Sequence, residues 1–279
     1  MFCRAALFVL LATDRAGSLS QCALRLCKGE RPKTEGRAVA SQAVRPLFGE
    51  TGSRMKERSY VPTLEIEESL WKEGYRYVAG VDEAGRGAWA GPVVAAAVIL
   101  PPHDAGLPDN LAGVRDSKLL SARQREMLLE TVLGCAVAWG VGMTPPSEID
   151  RLGIVAATQR AMAEALQALS PRAEYLLIDY VRLPEVGLPQ KCLPHGDGRI
   201  LSVAAASILA KVSRDRIMVD LEAKFPGYGF AKHKGYGTQQ HRDALLRLGP
   251  SVSHRLSFRP LRELGIDGEH TVEWDDGAP

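Results

Sequence analysis

Carboxylates in unusual company are the first sign of chemistry in this sequence. Asp82 and Glu83 are adjacent, they close the apolar run at residues 77–81, and Gly85-Arg86-Gly87 follows almost at once. Glycines on both sides of an arginine allow a sharp bend and let backbone N–H groups approach a ligand closely. Taken alone, the acid pair also fits a hairpin turn with solvated charges. Another acid, Asp179, interrupts the apolar run YLLIDYV at residues 175–181. A carboxylate there is costly unless it is paired, hydrogen-bonded or bound to a metal ion. Asp197 lies in His195-Gly-Asp197-Gly, just ahead of a long helical pattern, where local evidence favours simple capping.

Two further groups could meet a polyanion. Asp116-Ser117-Lys118 precedes a helix, and a lysine and a hydroxyl at that point suit a phosphate contact as well as a cap. The segment GYGFAKHKGYGTQQH, residues 227–241, interleaves aromatics, glycines and Lys232/Lys234. Tyr228, Phe230 and Tyr236 would be available there for stacking on bases, or would simply pack.

The elements that must position these groups follow from periodicity. The runs 77–81 and 92–100 read as two strands joined by a tight connection. Before them, residues 63–74 form an amphipathic helix with Thr63 as its cap and Ile66, Leu70 and Trp71 on the apolar face. Residues 101–109 read as a proline-containing loop. Ser121 then caps a helix bearing Leu128, Leu129 and Val132. Residues 136–143 form a third strand, 146–150 a turn, 153–169 a helix and 175–181 a buried strand. The helix at 201–225 carries Leu201, Ala205, Ile208 and Val212 on one stripe. Lys211, Arg214 and Asp215 share another face, Asp215 in a structural role. Thr238 caps a last helix at 239–248. This order specifies an α/β domain with a mixed central sheet, its first three strands antiparallel neighbours.

Composition narrows the class. A hydrophobic share of 46% is ordinary for a globular protein, and no apolar run reaches membrane-spanning length. Five cysteines at irregular spacings give neither a disulfide framework nor a zinc pattern, so a reducing, cytoplasmic setting fits. The formal charge of +2 hides an asymmetry: residues 199–262 hold twelve Lys/Arg and four acids, whereas 263–279 hold six acids and no Lys or Arg. That suggests a polyanion-binding face and a solvated acidic tail.

In this order, Asp82-Glu83 with Gly85-Arg86-Gly87, Asp116-Ser117-Lys118, Asp179, Asp197, the KHKGY-x-T segment and Ser253-His254-Arg255 resemble the type 2 ribonuclease H family, ribonuclease HII. The resemblance spans about residues 77–260. One departure is Ala88-Trp89 after the glycine-framed arginine, where proline and a smaller residue are common. The resemblance implies a ribonuclease-H-like mixed sheet with a helical C-terminal part. It makes Asp82, Glu83, Asp179 and Asp197 catalytic, the first three as metal ligands. It assigns Gly85, Arg86, Gly87, Ser117, Lys118, Lys211 and Tyr236 to the substrate. All-oxygen ligation suits two Mg²⁺ or Mn²⁺ ions. The implied reaction cuts the RNA strand of RNA–DNA hybrids, and single ribonucleotides embedded in duplex DNA, leaving 5′-phosphate and 3′-hydroxyl ends.

A monomer with no membrane attachment is expected. Ribonuclease HIII is the nearest rival, but its first motif differs and it carries a sizeable N-terminal domain. A non-catalytic hybrid binder is disfavoured, since it would gain by losing negative charge near phosphate. Residues 1–54 carry nine Lys/Arg against four acids. They read as a secretory-like or mitochondrial-type leader, or as sequence ahead of a true start at Met55, which the short lead usual in the family favours. The expected divisions are a poorly ordered 1–54, a lead helix within 55–75, the catalytic domain 76–262 and the tail 263–279.

Overall fold

A computed structural model describes residues 61–266. The expectations for residues 1–54, for a start at Met55 and for all but the first residues of the acidic tail lie outside them.

A five-stranded mixed sheet forms the centre, with strands β1 (Val78–Ala84), β2 (Val93–Ile99), β3 (Ala138–Thr144), β4 (Tyr175–Asp179) and β5 (Gln190–Leu193) in the order β3-β2-β1-β4-β5. The first three are antiparallel neighbours, as expected, while β4 pairs parallel to β1 and β5 parallel to β4. All seven residues of β2 are buried, so both its faces are covered and its sequence VVAAAVI shows no alternation. Each valine buried there contributes about 1.5–3 kcal/mol.

The helices are α1 (Glu65–Lys72), α2 (Leu107–Asn110), α3 (Ala122–Cys135), α4 (Pro146–Leu152), α5 (Ile154–Gln167), α6 (Leu201–Lys224), α7 (Phe230–His233), α8 (Gln239–Leu248) and α9 (Arg259–Glu263). One sheet face packs on α5, where Ala157, Ala161, Met162 and Ala165 are fully buried against Val81, Val93, Ala95 and Ile178. The other face receives α6. Gly80 makes that approach possible: a Cβ there would lie 2.2 Å from the backbone carbonyl carbon of Ser202.

Several boundaries differ from the sequence reading. Residues 146–152 form a helix rather than a turn, with Pro146 in its first turn, where a missing N–H costs nothing. Short helices occupy parts of the proline-containing loop and of the KHKGY segment. β5 has no sequence signature; its four residues are partly or fully exposed. Ser121 and Thr238 do cap α3 and α8, Ser121 in a reciprocal box with Gln124. Thr63 does not cap α1; it bridges instead to Ile200, its N–H donating to Arg199 O and its carbonyl accepting from Leu201 N.

Candidate active site

Asp82 and Glu83 lie inside β1, not beyond its end, because pairing with β2 continues to Ala84 and Val94. The bend follows at Gly85, whose φ of +86° suits glycine, and Ala88 N–H closes the turn onto Gly85 O at 3.2 Å. Asp82 is 4% exposed, and its Oδ1 accepts from Glu83 N–H at 2.8 Å. Parallel pairing of Val81 with Ile178 brings Asp179, the last residue of β4, beside this pair. Asp179 Oδ1 accepts from Gly196 N–H at 2.9 Å, which draws in the 3₁₀ turn Gly196–Gly198 and with it the buried Asp197. Lys118 Nζ lies 3.1 Å from Asp197 Oδ2 and 3.7 Å from Asp116 Oδ1. Arg86 Nη1 lies 3.8 Å from Glu83 Oε1.

Four carboxylates from three elements thus share one field. Burial, then repulsion from Glu83, Asp179 and Asp197, holds the Asp82 carboxyl well above the usual range. Burial lifts Glu83 to about 7 despite Arg86, with Asp179 adding to the rise. Burial and Asp197 likewise raise Asp179, against the Gly196 hydrogen bond. Burial pulls the Lys118 ammonium down, but Asp197 and Asp116 outweigh it and hold it above its ordinary value. Glu83 Oε2 is buried without a hydrogen-bond partner. Unspent negative charge, an orphaned carboxylate oxygen and an all-oxygen donor set fit hard divalent cations. Among the described residues, no three His, Cys, Asp or Glu side chains are grouped closely enough to hold an ion as they stand.

Asp197 does not cap α6. The first amides of that helix go to Thr63 O and to Glu67 Oε1, the latter a 2.9 Å bond from Ser202 N–H to a buried carboxylate on α1. Capping from a distant helix leaves Asp197 facing Lys118 and Asp179. Ser117 also turns inward, its hydroxyl accepting from Ser207 Oγ at 2.8 Å, so Lys118 is the exposed member of its motif. Within the first loop, Gly85 is buried: a Cβ there would lie 1.8 Å from Arg214 Nε. Gly87 is exposed, with open space where its Cβ would be.

Two buried arginines hold this loop, and neither role was legible in the sequence. Arg214, placed with Lys211 on a polar face, is fully buried and donates to Pro92 O, Ala90 O and Lys234 O at 2.8–3.0 Å. Arg255 donates twice to Gly91 O and once to Arg86 O, at 2.8–3.0 Å. Burial pushes both guanidiniums below their ordinary range, yet both stay charged at neutral pH. An arginine inside the alanine-rich stretch of α6 was the available signal. Asp215 pairs with Lys211 at 2.6 Å and Arg125 at 3.4 Å. Tyr236 is 39% exposed, its ring centroid 5.7 Å from Lys211 Nζ and 5.5 Å from Arg214 Cζ.

Tyr228 and Phe230 are not stacking platforms. They are buried, stacked on each other at 5.2 Å and packed against histidines. The histidine tautomers follow from their partners. His241 Nδ1 faces Tyr236 O at 3.0 Å, so that nitrogen carries the proton and Nε2 accepts from His254 Nε2 at 3.1 Å. His254 Nδ1 is then an acceptor, and Ser251 N–H meets it at 2.9 Å. His233 donates through Nε2 to Tyr228 O and accepts at Nδ1 from Gly235 N–H. Every ring is satisfied as neutral imidazole, and an added proton on His241 would face the His254 N–H.

Burial, then the neighbouring rings, pushes His254 down to about 3, and burial pushes His241 down to about 4. A histidine base with a depressed folded pKa contributes stability that is present above about 6.5 and lost as pH falls, because the unfolded chain takes up protons first. For His254 the expected loss between pH 7 and pH 5 is about 2 kcal/mol. Urea unfolding of the wild-type chain and His254→Gln at the two pH values checks this, because the raised carboxyls of Asp82 and Glu83 act on both alike, and an equal pH dependence in the two would contradict the neutral assignment.

The chain is similar to known ribonucleases over most of its described length. The family model described as ribonuclease HII matches residues 79–260. A ribonuclease HII from Roseiflexus castenholzii is 55% identical over 203 residues, covering 73% of this chain and 91% of that protein. One from Chloroflexus aurantiacus is 53% identical over 203 residues, covering 73% and 96%. Among solved structures, ribonuclease H2 from Pyrococcus horikoshii matches with a TM-score of 0.58 and 26% identity, covering 68% of this chain and 97% of that one. The ribonuclease HII in a complex with PCNA from Archaeoglobus fulgidus matches with a TM-score of 0.56 and 29% identity, covering 66% and 95%.

Proposed function

The chain belongs to the ribonuclease HII family, an enzyme of the ribonuclease H class acting on RNA–DNA hybrids, and from that premise we propose that it also cuts at single ribonucleotides embedded in duplex DNA. The observation that carries this is the convergence of Asp82, Glu83, Asp179 and Asp197 beside the Gly85–Gly87 loop, with Tyr236 joined to that loop through Arg214. Asp82, Glu83 and Asp179 are the residues to hold divalent Mg²⁺ or Mn²⁺, two ions in the reacting complex, with Asp197 completing the set. Such ions, when bound, supply positive charge to the entering and leaving oxygens and lower the pKa of the attacking water.

The chain's own groups do the rest. Lys118 and Arg86, beside the acids, attract the phosphate backbone. Gly87 lets the loop backbone approach the sugar, where a 2′-hydroxyl distinguishes RNA from DNA. The Arg86 carbonyl already accepts from Arg255, which fixes the loop's shape before substrate arrives. Tyr236 presents a partly exposed ring, steadied by Lys211 and Arg214, to the neighbouring deoxyribose. Products carry 5′-phosphate and 3′-hydroxyl ends. No helix among the described residues is long and apolar enough to cross a membrane, and a cytoplasmic monomer is part of this reading.

The test places two duplexes side by side, one a continuous hybrid and one with a single embedded ribonucleotide, with product ends mapped on a sequencing gel. Cutting on the 5′ side of the ribonucleotide is expected. Tyr236→Ala should lose about a hundredfold on the embedded substrate and far less on the hybrid, the scale set by a misplaced reacting group. Equal losses would leave Tyr236 as packing.

A further inference from the structure

Trp89 grips the second loop on both sides of Tyr236. Its backbone N–H donates to Gly235 O at 2.8 Å, on the N-terminal side. Its indole occupies the space that a side chain on Gly237 would need, on the C-terminal side: a Cβ there would lie 2.2 Å from the ring carbons Cε2 and Cζ2. The same ring lies 5.6 Å from the His241 imidazole, tilted by 35°, and that imidazole holds Tyr236 O at 3.0 Å. Three ties from one residue therefore converge on residues 235, 236 and 237.

Trp89 is itself anchored. Its carbonyl accepts from Arg255 N–H at 2.8 Å, and the next two carbonyls, Ala90 O and Gly91 O, are held by the buried guanidiniums of Arg214 and Arg255. The path from the Gly85–Gly87 loop to Tyr236 thus runs through a rigid aromatic plate seated in a glycine notch. Lys211 and Arg214 touch the tyrosine ring, and Arg214 also holds Lys234 O, while the plate braces the backbone on both sides of Tyr236.

We propose that Trp89 is a positioning residue that sets where Tyr236 stands relative to the metal acids, and thereby sets preference for an RNA-to-DNA step over a continuous hybrid. The proposal rests on the reading of Tyr236 given above. A rigid plate is suited to the task because a displacement of about 1 Å at a substrate-positioning group costs on the order of a hundredfold in rate.

The experiment measures kcat and KM on both substrates for the wild-type chain, Trp89→Ala, Trp89→Phe, Gly237→Ala, the Trp89→Ala/Gly237→Ala pair and Tyr236→Ala. Trp89→Ala should lower kcat on the embedded ribonucleotide about tenfold or more, with KM and hybrid cleavage changed by no more than about threefold. Trp89→Phe should recover most of that loss. Gly237→Ala, which collides with the indole, should lose the same preference alone and cost nothing further once Trp89 is alanine. If Trp89→Ala folds poorly, Trp89→Phe and Gly237→Ala decide the matter, since preference is a ratio measured on folded enzyme. Equal losses on both substrates, or additive losses in the pair, would overturn the proposal. Should Tyr236→Ala discriminate while the Trp89 variants do not, the positioning role alone fails. Should Tyr236→Ala not discriminate, the reading of Tyr236 itself fails.

Discussion

Asp82→Asn, Glu83→Gln and Asp179→Asn are each expected to reduce Mg²⁺- or Mn²⁺-supported cleavage by at least about three orders of magnitude, on the order of 4 kcal/mol of lost transition-state stabilisation. Each change keeps the side chain's shape and removes a charge, so the loss would report on charge rather than packing. The folded protein should not suffer. Asp82 is buried among repelling acids, and neutralising it relieves both burial and repulsion, so its melting temperature without added metal should hold or rise. Hybrid binding should persist or tighten, because negative charge near phosphate has gone. Asp197→Asn should also reduce activity, and it additionally leaves Lys118 without its nearest carboxylate. Near-normal cleavage by Asp179→Asn would remove that residue from the metal set. A fall in melting temperature with Asp82→Asn would contradict the electrostatic account.

Gly80→Ala should be the most damaging small substitution in the fold. The new methyl would lie 2.2 Å from Ser202 C and 2.4 Å from Val203 N, and backbone of a 24-residue helix cannot yield as a flexible side chain does. Either α6 lifts from β1 or the strand shifts. Overpacking of this kind costs about 3 kcal/mol or more. For a domain of this size that lowers the melting temperature by roughly 6–12 °C. A shift below about 2 °C would mean that helix and sheet are less tightly joined than the geometry indicates.

The sheet's antiparallel half was legible because β-branched runs bounded by glycines admit few other arrangements, and Ser121 and Thr238 announced their helices by capping chemistry. The convergence of Asp82, Glu83, Asp179 and Asp197 followed from resemblance rather than periodicity. Local pattern alone misplaced Asp197 as a cap, because the true cap, Glu67, lies 135 residues away. In the sequence, Tyr228 and Phe230 stay open between stacking and packing for a related reason. An aromatic-glycine segment looks the same whether its rings face a ligand or a histidine cluster, and only tertiary packing decides. Arg214 and Arg255 were hidden because buried arginines normally need acids nearby. Here backbone carbonyls satisfy them instead, and carbonyls leave no trace in a sequence.

The bond from Arg255 to the Arg86 carbonyl joins residues 169 apart and has a consequence for synthesis. On the ribosome, Asp82 and Glu83 emerge long before the arginine that fixes their loop. β1 must also wait for β4 to bring Asp179, and Lys118 must wait for Asp197. Folding of this kind is dominated by distant partners and proceeds slowly. A partly made chain therefore has Asp82 and Glu83 without the tie that fixes the loop after them. The Gly85–Gly87 loop is tied down only after Arg255 has been made.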